Sequence, residues 1–598
     1  MPFLCFLLLV LAGFITGSAT AQTIPAPDAA LNYTQIMFEY PALTGANQYL
    51  IQIAEDTTGS NFDHPFIEQK DSSTATLISG FGFGKKYKWQ YTAYTKGIKP
   101  DWKGPYRFQI LADSFVYNHH YRVRILNNEL KEPSGFVSAD LLRMFMNRHG
   151  QPVWQLPNID EFTSIRDLRL TPIGTVTYIT DRNLFVEAFE TDLQGNILWQ
   201  APNNGKISGD STEYYHHNFT RLPNGNYMVL SKKFVWKPVP AAFRQYITGT
   251  RFETYTGNDT LYARIEFGTI IEYNPQKQVV WAWNSEDYLN NTDIFAIKDE
   301  PSTAPVKKNE ALNGHVRTKR GKIEAHLNAF SVDTDNQFVY AGFRNLSRVI
   351  KIDKKTAEVV YSWGAKTSEE AKDGNNFFNT QHDANILSNG SIAVFNNNEE
   401  GVGTNVPSVV VFNQPLPGNT SQIVWQHPCN FDTLTPNKSL RGGNIDQLPN
   451  LNFLVSMGNA NKIAEITPDH RIVWSAVIER EANPHEQMLV FLLYRAYYAS
   501  SLYPCYFTVQ SNSATLSQSG LLQLKIFNEG TEDDSYTVTV SSASGSFKKN
   551  HTASVAKAKS AVIEIKPDAA LPAGEKIELT VTSNTNPALQ RKLWIAYK

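Results

Sequence analysis

Cysteine is nearly absent, three residues in 598, and methionine is scarce at seven. That excludes a disulfide-dense scaffold and a cysteine-rich metal cluster. Neither sign of charge dominates: 55 Lys and Arg face 57 Asp and Glu, a formal net charge of −2. A chain whose main work is to coat nucleic acid or an anionic membrane would be less balanced. Past the first residues, no apolar run reaches the roughly 18 residues needed to span a bilayer. What the chain does have is apolar and aromatic content, 42% and 12%. This describes a soluble, packed protein, too long for a single core and therefore a large domain with satellites.

Residues 1–21 read as an export signal. Leu7-Leu8-Leu9-Val10-Leu11 is its apolar region, and Ala19-Thr20-Ala21 is a small-residue cleavage site before Gln22. Cys5 lies inside this segment rather than just after it, which argues against a lipid anchor. The mature chain is expected to be periplasmic or secreted. Cys429 and Cys505 could pair in an oxidising compartment, although spacing does not place them within bonding distance.

The remainder reads as all-β in three parts. Residues 22–115 alternate apolar and polar positions between turn signals, as in Tyr49-Leu50-Ile51-Gln52-Ile53. The run Tyr87-Lys88-Trp89-Gln90-Tyr91-Thr92-Ala93 resembles a strand of fibronectin type III sandwiches. Residues 505–598 alternate likewise in Leu522-Gln523-Leu524-Lys525-Ile526 and Tyr536-Thr537-Val538-Thr539-Val540, and read as an immunoglobulin-like β-sandwich. Between them, residues 116–504 repeat an apolar run closed by an aromatic residue: Trp154, Trp199, Trp281, Tyr361, Trp425 and Trp474. Turns of the type Leu222-Pro223-Asn224-Gly225, Leu387-Ser388-Asn389-Gly390 and Leu448-Pro449-Asn450 alternate with these runs. Repeated antiparallel units with an aromatic marker imply radial repetition, so six markers predict a six-bladed β-propeller. Residues 486–498 carry Met488, Phe491, Leu492 and Arg495 near helical spacing and are expected to form an exit helix.

Histidine placement tests whether the repeat carries chemistry. His217 stands five residues before Leu222 and His382 five before Leu387, so two blades offer an imidazole at one equivalent position. The same register excludes His216. His326 opens a further strand, Asn328 two residues on shares its face, and Arg344 follows in Phe343-Arg344-Asn345-Leu346-Ser347. Radial symmetry aims such positions at a common axis. Three histidines in register, with an arginine nearby, are a candidate functional cluster; the alternative is satisfied polar groups in a wet channel or on its rim.

The stretches His217-Asn218-Phe219-Thr220-Arg221-Leu222-Pro223-Asn224-Gly225-Asn226, His326-Leu327-Asn328, Arg344-Asn345-Leu346-Ser347 and Gln381-His382-Asp383-Ala384 together resemble the bacterial arylsulfate sulfotransferases, over residues 116–504. The resemblance implies a six-bladed propeller with its active site in the central channel. It also implies transfer of a sulfuryl group from an aryl sulfate donor to a phenolic acceptor, independent of 3′-phosphoadenosine 5′-phosphosulfate. His382 matches the histidine that becomes transiently sulfated, and His217, His326, Asn328 and Arg344 match the residues around the sulfuryl group. No cofactor, metal, nucleic acid or membrane span is implied, and a homodimer is compatible. The chain departs from some members, which carry a disulfide before the catalytic histidine; residues 364–381 hold no cysteine. An arylsulfatase, with water as acceptor, and a non-catalytic ligand-binding propeller are the competing readings. Asp383, next to His382 on a strand, should point to the other side and so not orient it.

Overall fold

The computed structural model describes residues 23–597 except 44, 99, 113–120, 131–134, 158–162, 183–184, 249–251, 297–309, 313–314, 318–321, 365–372, 375, 400–405, 433–436, 481–491, 512–514, 517–520 and 548. The expected export signal lies outside the described residues. The chain is all-β and divides into two compact units, Met1–Ala112 with Cys505–Lys598, and Asp113–Pro504. Cys505 belongs to the first unit and Cys429 to the second, and both are buried free thiols.

In the first unit, Tyr49–Glu55 and Lys86–Ala93 pair at the centre of a five-stranded sheet, beside a two-stranded sheet of Ile36–Glu39 and Ala75–Ile78. Trp89 is fully buried, ringed by Phe38, Tyr40, Tyr91 and Tyr106 at centroid distances up to 6.4 Å. Leu522–Asn528, Asp534–Ser542 and Lys576–Ser583 turn their alternate residues into a second core that contains Leu524, Val538 and Leu579.

Among its described residues the second unit holds six sheets built on four antiparallel strands each, besides a two-stranded one. The second runs from Ser164–Leu170 to Ile197–Gln200, the third from Phe219–Arg221 to Val279–Asn284, and the fourth from Leu327–Val332 to Val359–Trp363. The fifth spans His382–Ile386 to Ile423–Pro428, and the sixth Asn444–Gln447 to Ile472–Arg480. The first is assembled from both ends of the unit: Phe136–Ala139, Met144–Asn147 and Pro152–Gln155 are joined by Tyr498–Ala499. Conversely, the early strand Tyr121–Asn128 adds itself to the last strand of the sixth sheet.

All six aromatic markers lie on a fourth strand, and each clasps the sheet that follows. The indole Nε1 of Trp154 donates to Leu193 O at 2.8 Å, Trp281 to Lys354 O at 3.0 Å, and Trp425 to Pro468 O at 2.9 Å. Trp474 donates to Arg148 O at 2.8 Å, so the sixth sheet is clasped to the first. Trp199 instead stacks on Tyr227, with centroids 3.9 Å apart. The Tyr361 hydroxyl reaches Asp373 at 3.1 Å, and that carboxylate also accepts the Ser421 N–H. An aromatic residue with a polar edge suits this place because its body packs while its N–H or O–H finds a carbonyl or carboxylate.

A second set of fasteners joins the first strands. Asp167 accepts the backbone N–H of Phe219 at 2.7 Å, Asn218 that of Phe330 at 2.8 Å, Asp383 that of Ile445 at 2.9 Å and Asn444 that of Ala496 at 2.9 Å. Such bonds satisfy buried backbone donors that no neighbouring strand reaches. Each latch sits four residues before a hairpin turn: Leu222 N–H bonds Asn226 O, Leu387 bonds Ser391 O, and Leu448 bonds Asn452 O. Gly225 and Gly390 hold φ of 84° and 81° there, which the Asn-Gly pattern anticipates.

The helix expected over residues 486–498 is not formed where the chain is described. Residues 481–491 lie outside the described residues, residues 492–497 are irregular, and Tyr498–Ala499 is a strand. The backbone N–H groups of Tyr494 and Arg495 are both taken by the Asp140 carboxylate at 2.9 Å, so they are not available to a helix.

Candidate active site

Three of the four latches are each preceded by a side chain that gathers round Tyr494. These side chains are Arg166 before Asp167, His217 before Asn218 and His382 before Asp383. His217 and His326 pack edge to face with centroids 5.0 Å apart, and His326 lies 6.5 Å from His382. Tyr494 closes the group, 5.8 Å from His217 and 6.2 Å from His382, with the Arg166 guanidinium 5.5 Å over its ring. His217 and His326 each hold φ of 59°, a region sparsely used by side chains larger than glycine. Such strain persists only where surrounding contacts enforce it, and it gathers at functional sites.

His382 is the most deeply placed of the histidines, 3% exposed, while His217 and His326 keep partial solvent access. Its Nδ1 lies 2.8 Å from Asn397 Oδ1. The orientation of that amide follows from its other partners. Asn397 Nδ2 donates to two carbonyl oxygens, of Ser439 at 2.9 Å and Gly442 at 3.2 Å, so Oδ1 must face the imidazole. Nδ1 therefore carries the proton, and the lone pair is at Nε2. Burial pushes the His382 pKa well below the ordinary histidine value, and the Arg344 guanidinium pushes the same way.

A second relay fixes His217. His216 Nε2 lies 3.1 Å from Ser231 O, an acceptor only, so this nitrogen donates and His216 Nδ1 is left as an acceptor. His217 Nδ1, 2.6 Å away, donates to it and leaves its own Nε2 unprotonated. Burial drives both pKa values well below the ordinary range, and the neighbouring cations and imidazoles add to it. His326 places Nδ1 3.3 Å from Glu324 Oε1. Burial opposes charge on Glu324, yet His326 and Lys322 hold its carboxyl well below the usual range.

Arg344 is 8% exposed; its guanidinium donates to Glu399 Oε2 at 2.6 Å and to Asn345 Oδ1 at 2.9 Å. Asn328 is fully buried: Nδ2 donates to Gln381 O at 3.0 Å, tying the strand after His326 to the residue before His382. Its Oδ1 has no hydrogen-bond partner. A bulge between Leu327 and Ala329 interrupts the alternation there. Beneath the group, Arg495 donates to Asp167 Oδ1 at 3.1 Å and Asn328 O at 2.8 Å, and the Tyr497 hydroxyl donates to Asp167 Oδ1 at 2.7 Å. Asp383 is spent on Ile445 N–H and Asn385 rather than on His382; a bulge between His382 and Asn385 and a φ of 61°, not plain alternation, set it there. Among the described residues, no group of three or more His, Cys, Asp and Glu side chains could hold a metal ion.

The arrangement brings His217, His326 and His382 together; Arg344 acts on His382 through its charge, and Asn328 is bonded to the carbonyl of Gln381 just before it. Residues 250–423 match the family model Arylsulfotransferase (ASST). Over that stretch the chain is similar to the arylsulfotransferase family. The stretch contains His326, Asn328, Arg344 and His382; His217 lies before it. A comparison with curated proteins finds no match. Among solved structures the chain is similar to a streptogramin B lyase at 10% identity, over 60% of this chain and 88% of that one, with a TM-score of 0.29. It is similar to the β-propeller domain of Cps50 (Swd1) from Myceliophteria thermophila at 9% identity, over 59% and 89%, with a TM-score of 0.26. The hydrazine synthase of Kuenenia stuttgartiensis gives 9%, over 67% and 99%, with a TM-score of 0.26.

Sequence reasoning missed His216, Asn397, Arg166 and Tyr494. A signal for one was present: Arg166-Asp167 repeats the pattern of His217-Asn218 and His382-Asp383 ahead of a turn. His216 and Asn397 carry no such signal, since each is defined by where its partner's ring nitrogen falls.

Proposed function

We propose that the protein is an arylsulfate sulfotransferase that passes a sulfuryl group through His382, without 3′-phosphoadenosine 5′-phosphosulfate. The observation that carries the reading is the Asn397 amide, which fixes the proton of a neutral, buried imidazole on Nδ1 and leaves Nε2 as nucleophile. In the first half-reaction, Nε2 attacks sulfur, the S–O bond to the aryl group breaks, and a phenolate leaves. His326, with a carboxylate beside it to accommodate an extra proton, protonates that phenolate. In the second, the acceptor phenol gives its proton to an imidazole, His326 or the lone pair on His217 Nε2. Its oxygen takes the sulfuryl group, and the S–N bond returns its electrons to His382. Arg344, held by Glu399 and Asn345, supplies permanent positive charge for the sulfuryl oxygens. The six sheets, clasped in sequence from Trp154 round to Trp474, support a six-bladed propeller as the scaffold. Residues 22–115 and 505–598 are read as fibronectin-III-like and immunoglobulin-like sandwiches, and the enzyme as periplasmic or secreted.

Kinetics test the two-step route. The first phenol must leave before the second is sulfated, so initial rates with 4-nitrophenyl sulfate at several fixed phenol concentrations should give parallel double-reciprocal lines. Intersecting lines would mean direct transfer. A rise in phenol-independent hydrolysis with no new sulfate ester would instead favour a sulfatase.

The pH profile follows from the same imidazoles. His382 and His217 have pKa values lowered below the ordinary value of about 6.5. They stay unprotonated as the pH falls through that value and protonate only further down. Donor cleavage, as kcat/KM, should therefore show no loss on the acid side as the pH falls through about 6.5. An acid limb centred near pH 6.5 would show that the reacting histidine titrates normally.

A further inference from the structure

The third sheet carries a hairpin longer than the others, Tyr227–Pro238 paired with Thr260–Tyr273 along its whole length, with Thr254–Gly257 added at the end. One face of the extension is core: Val235, Leu261, Ala263, Ile265 and Phe267 pack into an apolar cluster shared with the fourth sheet. Alternation assigns the other face to solvent, where polar residues suffice. It instead carries a row of rings. Phe234 packs on Tyr214 at 5.5 Å, Trp236 on Tyr255 at 4.9 Å, and Tyr255 stacks on Tyr262 at 4.9 Å and 6°. Trp236 and Tyr255 are 41% and 47% exposed, so the fold gains little by keeping them.

Cations are interleaved with the rings. The Arg264 guanidinium sits 4.4 Å over Phe234, and the Lys232 and Lys322 ammonium groups each lie 6.0 Å from it. Glu253, Glu266 and Glu324 pair with these cations, so the row is near neutral and its offer is mainly π-faces. The row also starts at the histidines. Ser231, whose carbonyl holds His216, is three residues before Phe234 and five before Trp236, about 10 and 16 Å along a strand. Tyr214, against Phe234, is two residues before His216.

We propose that this face is a substrate subsite for the far rings of an elongated aryl sulfate or polyphenol whose sulfated or hydroxyl end lies at the histidines. The proposal rests on the sulfotransferase reading for what happens at that end. The far rings of a multi-ring ligand pack face-on against one of the exposed rings Trp236 and Tyr255 and edge-on against the other, whose planes lie 72° apart, and single-ring phenols do not reach them.

The test uses two sulfonates, whose C–S bond does not transfer, so binding is read apart from catalysis. They are benzenesulfonate and the three-ring 4-[(4-phenylazophenyl)azo]benzenesulfonate, titrated calorimetrically into the full chain. The three-ring probe should bind the native protein at least about tenfold tighter than the one-ring probe. Trp236→Ala with Tyr255→Ala should erase most of that preference and leave benzenesulfonate unchanged. Trp236→Phe with Tyr255→Phe, which keeps the rings, should restore it. Equal affinity for the two probes, or an alanine variant that keeps the preference, overturns the subsite. If the preference and its loss are found but no phenol is sulfated, the subsite stands and the transfer reading falls.

Discussion

His382→Ala should abolish donor cleavage, lowering kcat/KM for 4-nitrophenyl sulfate by about a thousandfold or more, with the fold retained. The loss should be this large because nothing nearby replaces a lone pair held in that place. His217 Nε2 and His326 share the site but lack the Asn397 acceptor that fixes the tautomer of His382. The side chain removed is buried and bonded only through Nδ1 to Asn397, so the thermal unfolding midpoint should move far less than the activity. The decisive measurement is mass spectrometry of donor-treated native protein. It should place a sulfuryl adduct on the peptide containing His382 and none on the variant. An adduct on His217 or His326 would reassign the nucleophile.

Arg495→Met should be the most destabilising single change near the site, by about 3–5 kcal/mol. Arg495 is fully buried and its partners are equally buried: the Asp167 carboxylate and the carbonyl of Asn328. Burial alone would raise the Asp167 pKa, but the guanidiniums of Arg169 and Arg495 hold it below its ordinary value. Removing one of them leaves a buried carboxylate that accepts from Phe219, Tyr497 and Arg169 with less compensating charge. Denaturant unfolding followed by tryptophan fluorescence measures this. A midpoint within error of the native protein would mean that Arg169 and Tyr497 suffice.

Local chemistry made much of this legible. The aromatic markers could be counted because each fourth strand carries a ring that packs or bonds against the next sheet, and the Leu-x-Asn turns because such a hairpin is set by four residues. Counting back from those turns placed His217 and His382 at one position, since each strand keeps the same distance from turn to latch. Over the described residues 492–498 the expected helix is absent for a physical reason. Leu492-Leu493-Tyr494-Arg495-Ala496-Tyr497 is buried apart from the chain's own strand partners, so it shows no two-residue alternation, and short apolar runs do not separate strand from helix. Asn397, His216 and Glu324 were illegible because their roles exist only across strands or around a bend. Asn397 meets His382 fifteen residues away, and nothing in its own neighbourhood distinguishes it from Asn396 or Asn398.

The first sheet is completed by Tyr498–Ala499, and the site by Tyr494 and Arg495 just before it. This sets an order of events during synthesis. A nascent chain can pair five of the sheets as they emerge, but the gap between Asn444 and Phe136 stays open until residues 494–499 arrive. Until then His217 and His382 lack the ring between them, and Asp167 lacks its deepest cation. Catalytic competence is thus the last property this unit acquires, and any truncation ahead of Tyr494 removes it however many sheets remain.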